Sequence, residues 1–556
     1  TNIRAKDGTD FAGNVDVSAQ EVLKANHVAF GVGAGTVGIG AVANVLLGRS
    51  QVYSEVVGAD VKATDLNVEA DSLREADLLS ISGAAGKYSA AISIGVALMG
   101  QGDTTTDDGT DAEDEFDPSR NEANTVLQTD YAGSNPHLST EDIAVLEASS
   151  GRTIDRSGSS SASTVASEEA GSVLTIDGES VTAARISGGK IEASTVNVES
   201  NSSLHIYQNI GAGQVSAAGV TGGVGVTRLY DMGIATVDAQ LSADTVVVNA
   251  EIKNKADEDA AGEMSNFIVG AGGIAIGVSY SDILSEHRVV AGLNSAVGSD
   301  TGDLTVSAKD TTELRVGDTD AEVNTGVVDG TVNVQIGAGA IGASLAFAEK
   351  NSDVDAWAGG TGSTIDGYNN IIVDAESSGM VRSTAFAAGG GSIASAIGVL
   401  TDARDNSNVN ALITGNIGTG SGVVNVTAKS VPETYSRAFG VSVSGSLSMG
   451  ASFAYAISDT TTTAEIGDGT VFSHSDTALF SDAAPVSITA ITGDGSDDYV
   501  EVPELIPGNV FDVVTIEAWI KLKSNVDEDD EWIIFAGGKD GLLKFGINDE
   551  EEPFVF

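Results

Sequence analysis

A short phrase returns along this chain at intervals that only a repeating architecture explains. It consists of an aliphatic residue, a spacer, Val or Ile, a second spacer, and Ala or Ser. Val15-Asp16-Val17-Ser18-Ala19 is the first copy and Leu304-Thr305-Val306-Ser307-Ala308 a central one. The central residues are Val17, Val68, Val198, Val248, Val306, Val373, Val426 and, in a weaker echo, Ile488. Taken at 17, 68, 198, 248, 306, 373, 426 and 488, they differ by 51, 130, 50, 58, 67, 53 and 62. A fixed phrase at this spacing marks a stacked array whose units bury their faces on their neighbours. The one large step marks an insertion.

A second phrase follows each copy: a run of Gly, Ala, Ser and aliphatic residues, as in Gly31 to Leu47 and Gly337 to Ala348. Val28 to Leu47 holds 20 residues without a charge, long enough for a membrane helix. Five glycines at 31, 33, 35, 38 and 40 argue against a helix, since each costs about 1 kcal/mol relative to Ala. Later runs are also broken by Gln214, Arg228, Asp282, Glu349 and Asp402. Alternation of the kind seen in Val441-Ser442-Val443-Ser444 is the period of a strand with two unlike faces. Clusters such as Asp300-Thr301-Gly302-Asp303 supply turns. The expected fold is all-β: a β-solenoid over residues 1–480, with a right-handed parallel β-helix preferred. An antiparallel stack of hairpins gives the same alternation and stays open.

Composition narrows the function. Acidic residues number 80 against 27 basic ones, a formal charge of −53, which excludes a general nucleic-acid binder because phosphates are held by Lys and Arg. With 41% hydrophobic residues the chain still has apolar surface to bury, so disorder is not expected. No Cys is present, so neither disulfides nor thiolate metal sites are available. The chain opens on Thr1 with no signal segment and closes on Pro553-Phe554-Val555-Phe556, which reads as a mature product or an excised fragment.

The insertion, Gln101 to about Ser163, interrupts the array with acids and small polar residues. Asp103, Asp107, Asp108, Asp111, Glu113, Asp114, Glu115 and Asp117 fall together with no base between them. Oxygen ligands at this density suit Ca²⁺, and Asp103, Asp107, Asp108 and Asp111 are the candidate ligands, with a solvated loop as the plainer reading. The acidic runs at 527–531 and 549–552 are read the same way.

Catalytic motifs are not met. Gly33-x-Gly35-x-x-Gly38 and Gly337-x-Gly339-x-x-Gly342 match a dinucleotide fingerprint only in letters, since no strand-to-helix junction is expected there. Gly83-Ala84-Ala85-Gly86-Lys87-Tyr88 falls short of a phosphate loop. His27, His137, His205, His287 and His474 show no metal-ligand spacing. No enzyme is expected. Carboxylates are plentiful enough to keep a polysaccharide-active β-helix with an appended carbohydrate-binding module as the alternative.

After Ala490 the texture changes. Asp494-Gly495-Ser496-Asp497-Asp498-Tyr499-Val500, followed by Thr515-Ile516-Glu517-Ala518-Trp519 and Trp532-Ile533-Ile534-Phe535-Ala536, resembles the opening of a laminin-G-like, concanavalin-A-type jelly roll. The resemblance covers 489–556, about half such a domain, and implies an incomplete jelly roll of a family that binds glycans or proteins, sometimes through Ca²⁺. Asp494, Asp497 and Asp498 match the opening motif and are candidate calcium ligands, with a structural turn as their plainer role. The recurring Gly31-Val32-Gly33-Ala34-Gly35-Thr36-Val37-Gly38-Ile39-Gly40-Ala41 run resembles repeat regions of large bacterial surface adhesins of the filamentous-haemagglutinin-like and β-strand-repeat kind. That resemblance implies an extracellular structural or adhesive protein without a transmembrane segment. Such a protein would self-associate into fibres and present glycan- or protein-binding modules, with calcium as companion ion.

Overall fold

The computed structural model describes residues 2–3, 13–100, 180–256, 260–299, 301–317, 330–419, 423–467, 470–474, 486–491, 499–501, 532–537, 543–547 and 553–555. All regular structure among them is β, with no helix. The chain divides into two compact units, Thr1–Ile506 and Pro507–Phe556.

The first unit is built on one 18-stranded sheet in which every pairing is parallel. Parallel pairing decides against the stack of hairpins. Its long strands are Asn14–Gly48, Asp65–Met99, Ser180–Asn254, Gly262–Leu293, Thr331–Tyr368 and Asn370–Thr419, then Val424–Ser444 and Leu447–Ser458. The hydrogen bonding also closes on itself. Ser180–Asn254 pairs with Gly262–Leu293, which pairs with Thr331–Tyr368, which pairs with Asn370–Thr419. Asn370–Thr419 and Ser180–Asn254 both pair with Asp303–Thr311, completing the ring.

The repeated phrase sets the register. Val17 lies opposite Val68, and Val68 opposite Val198. Further along, Val248 faces Val306, Val306 faces Val373, Val373 faces Val426, and Val426 faces Ile488. Only Val198 and Val248 share a strand, and there the Lys255 amide donates to the Leu204 carbonyl, the same step of about fifty residues. The aliphatic residues of the phrase point inward. Leu66, Val68, Val196, Val198, Val246, Val248, Leu304, Val306, Ile371 and Val373 belong to one continuous core and are sealed from water. Each such side chain contributes about 1.5–3 kcal/mol on burial.

In-register stacking brings like residues within one strand spacing, so an acidic chain needs a device that keeps its carboxylates apart, both on outer faces and at buried positions such as Asp353 and Asp355. It alternates acids with amides and lysines. Asp16 faces Asn67 and accepts its Nδ2 at 2.6 Å. Asp353 and Asp355 accept from their direct partners Asn408 and Asn410 at 3.0 and 2.8 Å. Glu376 faces Lys429 at 2.6 Å, and Lys24 faces Glu75 at 2.8 Å. Where Glu69 meets Glu199 directly, Asp71 first, then burial and Glu199 hold the Glu69 carboxyl above its ordinary range. Opposite charges on facing positions stabilise a sheet, and like charges destabilise it.

The insertion leaves and re-enters at one point. The Gly100 amide donates to the Gly48 carbonyl at 2.7 Å, and the Val181 amide to the Ser50 carbonyl at 2.8 Å. Met99 is the partner of Gly48, and Val181 the partner of Gln51. Residues 100–180 therefore span what the layer beside them crosses with Arg49 and Ser50.

Near the end of the first unit, Val486–Ile491 joins Val424–Ser444, and Tyr499–Glu501 joins Thr461–Ile466, both in parallel. Residues that the sequence pattern assigns to the start of a jelly roll thus belong to the large sheet. In the second unit Trp532–Gly537 forms the expected strand. It runs antiparallel to Leu543–Ile547, which pairs antiparallel with Pro553–Val555.

Candidate functional site

The seven proposed calcium ligands, Asp103, Asp107, Asp108, Asp111, Asp494, Asp497 and Asp498, all lie outside the described residues, as do His137 and Trp519. Among the described residues no three His, Asp or Glu side chains converge as a metal site. No described helix is long and apolar enough to cross a membrane. Gly33, Gly35 and Gly38 sit within one strand and open no helix. Two arrangements remain, a buried ionic column and an inverted fin.

The column arises from charged residues placed on the inward phase of the alternation. In Asp65–Met99 the buried positions run Leu66, Val68, Ala70, Ser72, Arg74, Ala76 and Leu78, so Arg74 points into the core. Its Nη1 lies 2.5 Å from Asp231 Oδ1, with both side chains 1% exposed. Asp231 is stacked on His287, His287 on Ser352, and Ser352 on Ser407. Asp310 sits at the centre of the next group. It accepts from Ser352 Oγ at 2.5 Å and Thr312 Oγ1 at 2.6 Å. His287 Nδ1 lies 3.3 Å away and Lys350 Nζ 3.7 Å away. Lys350 Nζ also donates to the carbonyls of Ser378 at 2.8 Å and Thr312 at 3.3 Å.

Burial alone would raise the Asp310 carboxyl, but Lys350 and His287 together bring it well below the usual range. Asp405, the direct partner of Lys350, goes the other way. Burial raises it, against the pull of Lys350 and of the Ser407 hydroxyl at 2.5 Å. His287 with Asp310 has the form of an acid–base pair, and His287 Nε2 has no hydrogen-bond partner. Both side chains are fully enclosed, so no substrate reaches them. The chemistry of this column is that of a sealed ion network within the core.

The fin is formed by the Gly/Ala runs. In each layer the strand rises, reverses near a small residue such as Gly35, and returns face to face with itself. A Cβ on Gly33 would lie 1.9 Å from the Ile39 carbonyl oxygen, so the two legs nearly touch. Between the legs most of the side chains are polar or small, with Ile210, Ile268 and Ile397 as aliphatic exceptions. Asn266 Nδ2 donates to the Tyr280 carbonyl at 3.0 Å, Asn333 Nδ2 to that of Ala343 at 2.8 Å, and Gln208 Nε2 to that of Val226 at 2.8 Å. These amides tie the rising leg to the returning one. Space for them comes from glycines opposite. A Cβ on Gly277 would lie 2.0 Å from Gln335 Nε2, and one on Gly223 2.2 Å from Asn266 Oδ1.

The outer faces of the fin are apolar. Phe30 stacks over Ile81, and beyond Gly211 the column continues as Phe267, Val332, Phe386 and Phe439. On the returning leg Ile39, Val220, Ile274, Val278, Ile341 and Met449 are exposed. A largely polar or small-residue interior with apolar outer faces is the reverse of the main core, and contiguous exposed apolar patches are uncommon on monomeric soluble proteins. The sequence pattern finds the Gly/Ala runs but not this inversion. The signal was present in Val28-x-Phe30-x-Val32, whose apolar phase is opposite to that of Val15-x-Val17-x-Ala19.

Comparison with family models, with curated proteins and with solved structures finds no match.

Proposed function

We propose that this chain is a structural and adhesive segment of a bacterial surface protein, a β-solenoid that spaces or presents binding modules. The observation that carries the reading is the direct stacking of the repeated phrase from Val17 to Ile488. An array in which each unit rests on its neighbours lengthens by adding units and suits a spacer. The acid–amide and acid–lysine ladders favour the same reading, because they let a chain of charge −53 stack with few carboxylates facing one another, Glu69 against Glu199 being one that does. The acidic segment at 103–117 is proposed to take up Ca²⁺, and the module after residue 489 to contact glycans or surface proteins.

Electron microscopy of the purified chain, with and without millimolar Ca²⁺, tests this. Rods of constant width, with a melting temperature raised by the ion, are expected. Compact isometric particles would overturn the spacer reading. An unchanged melting temperature would remove calcium from it.

A further inference from the structure

The seven stretches that build the fin, 29–44, 80–95, 210–225, 266–281, 331–346, 385–401 and 438–454, contain a single charged residue, Lys87. The rest of the chain carries the whole excess of acid. A face so free of charge, on a protein so charged elsewhere, is where two copies approach with least repulsion. The returning leg is the larger apolar face. Its exposed residues include Ile39, Tyr88, Ile274, Val278, Ile341 and Met449, spread across the stack.

Size agrees with a protein partner. Seven layers at about 4.8 Å span about 30 Å, and eight residues at about 3.3 Å rise to about 26 Å, a projected face of roughly 800 Å². A stable protein–protein interface takes about 800 Å² from each partner, whereas the largest apolar patch on an ordinary monomer is about 300–600 Å². A lipid bilayer is a poorer occupant. The outermost described strands of the fin, Asn14–Gly48 and Leu447–Ser458, each pair on one side only among the described residues. Sheet edges with unpaired N–H and C=O groups are not tolerated in hydrocarbon, whereas water at the rim of a protein interface satisfies them.

We infer that the returning face of the fin is a self-association surface, which packs face to face against the same surface of a second copy about a two-fold axis. Such an interface is self-complementary by symmetry, apolar at its centre and hydrated at its rim. It does not depend on the adhesive reading, since a chain that forms no rod would still dimerise through this face.

Sedimentation velocity over about 1–100 μM, at low and at high salt, is the test. The native chain is expected to dimerise, more tightly at 0.5 M than at about 0.05 M NaCl, because screening lowers the repulsion between acidic copies. Ile274→Lys with Val278→Lys is expected to give a monomer across that range. Ile274→Thr with Val278→Thr, which keeps β-branched residues in the strands, is expected to weaken the dimer at least tenfold with an unchanged melting curve. Phe267→Thr on the rising face is expected to leave the dimer intact. A native chain that stays monomeric at all concentrations and salts overturns the inference. So does a dimer that survives both double variants, or a monomer that instead floats with phosphatidylcholine vesicles.

Discussion

Arg74 shows how a single side chain can govern several layers. Its guanidinium is enclosed in the core beside Asp231, which also accepts from the Ser202 hydroxyl, and its Nη2 reaches Thr182 Oγ1 at 3.3 Å. Removing one member of a buried pair leaves the other charge without compensation, at a cost of about 3–5 kcal/mol, whereas replacing both by apolar residues is often neutral. Arg74→Met is therefore expected to lower the melting temperature sharply, and Arg74→Met with Asp231→Leu to recover most of the loss. Calorimetry on the three proteins decides it. If the double variant is as unstable as the single one, the pair is not what matters at this site.

The two carboxyls near Lys350 give opposite responses to acid. Asp405 is held above its unfolded value, so the fold binds its proton first, and stability attributable to it rises as pH falls from neutral toward about 4. Asp310 is held below its unfolded value, so its contribution is complete above about pH 4 and is lost on further acidification. Asp405→Asn is expected to remove a gain between pH 7 and 4, and Asp310→Asn to remove a loss below pH 4. Melting temperatures across that range, taken as differences from the native chain, show whether the two effects separate.

Both charged groups were within reach of the sequence. Arg74, Asp310 and Lys350 each occupy the phase of Leu66, Leu304 and Ala346, and a charge on the inward phase of an alternating strand is a buried charge. What alternation does not reveal is which buried charges meet, since Asp310 and Lys350 are 40 positions apart in the chain and come together only through stacking.

At the scale of the element, the fin exists because glycine permits two backbones to approach. Gly272 is the clearest case. A Cβ there would lie 1.7 Å from the Ser216 carbonyl oxygen of the neighbouring layer, and backbone cannot yield as a flexible side chain can. Gly33, against the Ile39 carbonyl of its own layer, is the matching case within a layer. Gly213 also lies on the fin, yet a Cβ there meets nothing within 4 Å. Gly272→Ala and Gly33→Ala are each expected to cost about 1–3 kcal/mol, the range of substitutions that force backbone apart. Gly213→Ala is expected to be neutral or slightly stabilising, through lower entropy of the unfolded chain. Equal effects at all three positions in urea unfolding would mean that close approach of the legs is not what the glycines provide. The Gly/Ala runs, the strand character and the register of the Val-centred phrase were all legible in the sequence. The direction of pairing was not, because alternation reports which face is buried and not which way the neighbouring strand runs.

At the scale of the whole molecule, the stack is indifferent to what is inserted between two of its strands. Val68 meets Val198 in register although 130 positions separate them, and the strands on either side of the gap keep their ordinary neighbours. The excursion begins beside Gly48 and ends beside Ser50, where a two-residue crossing already exists in the adjacent layer. Loop-closure entropy grows only slowly with length, so a long excursion costs the fold little, and shortening it gains little. Replacing residues 100–180 by Arg-Ser, copied from Arg49-Ser50, is therefore expected to give a folded chain with the same β signature in circular dichroism. Its melting temperature should lie within a few degrees of the native one, because eighty-odd residues of closure amount to about 3–4 kcal/mol at most. Pairing of Met99 with Leu229 and of Gln51 with Val181 would be retained up to the new junction. Hydrogen exchange at Gly95 to Met99 and at Thr182 to Ile186 reports on this directly. Loss of protection there, with protection kept from Leu304 to Ala308, would show that the excursion helps to hold its own layers in register.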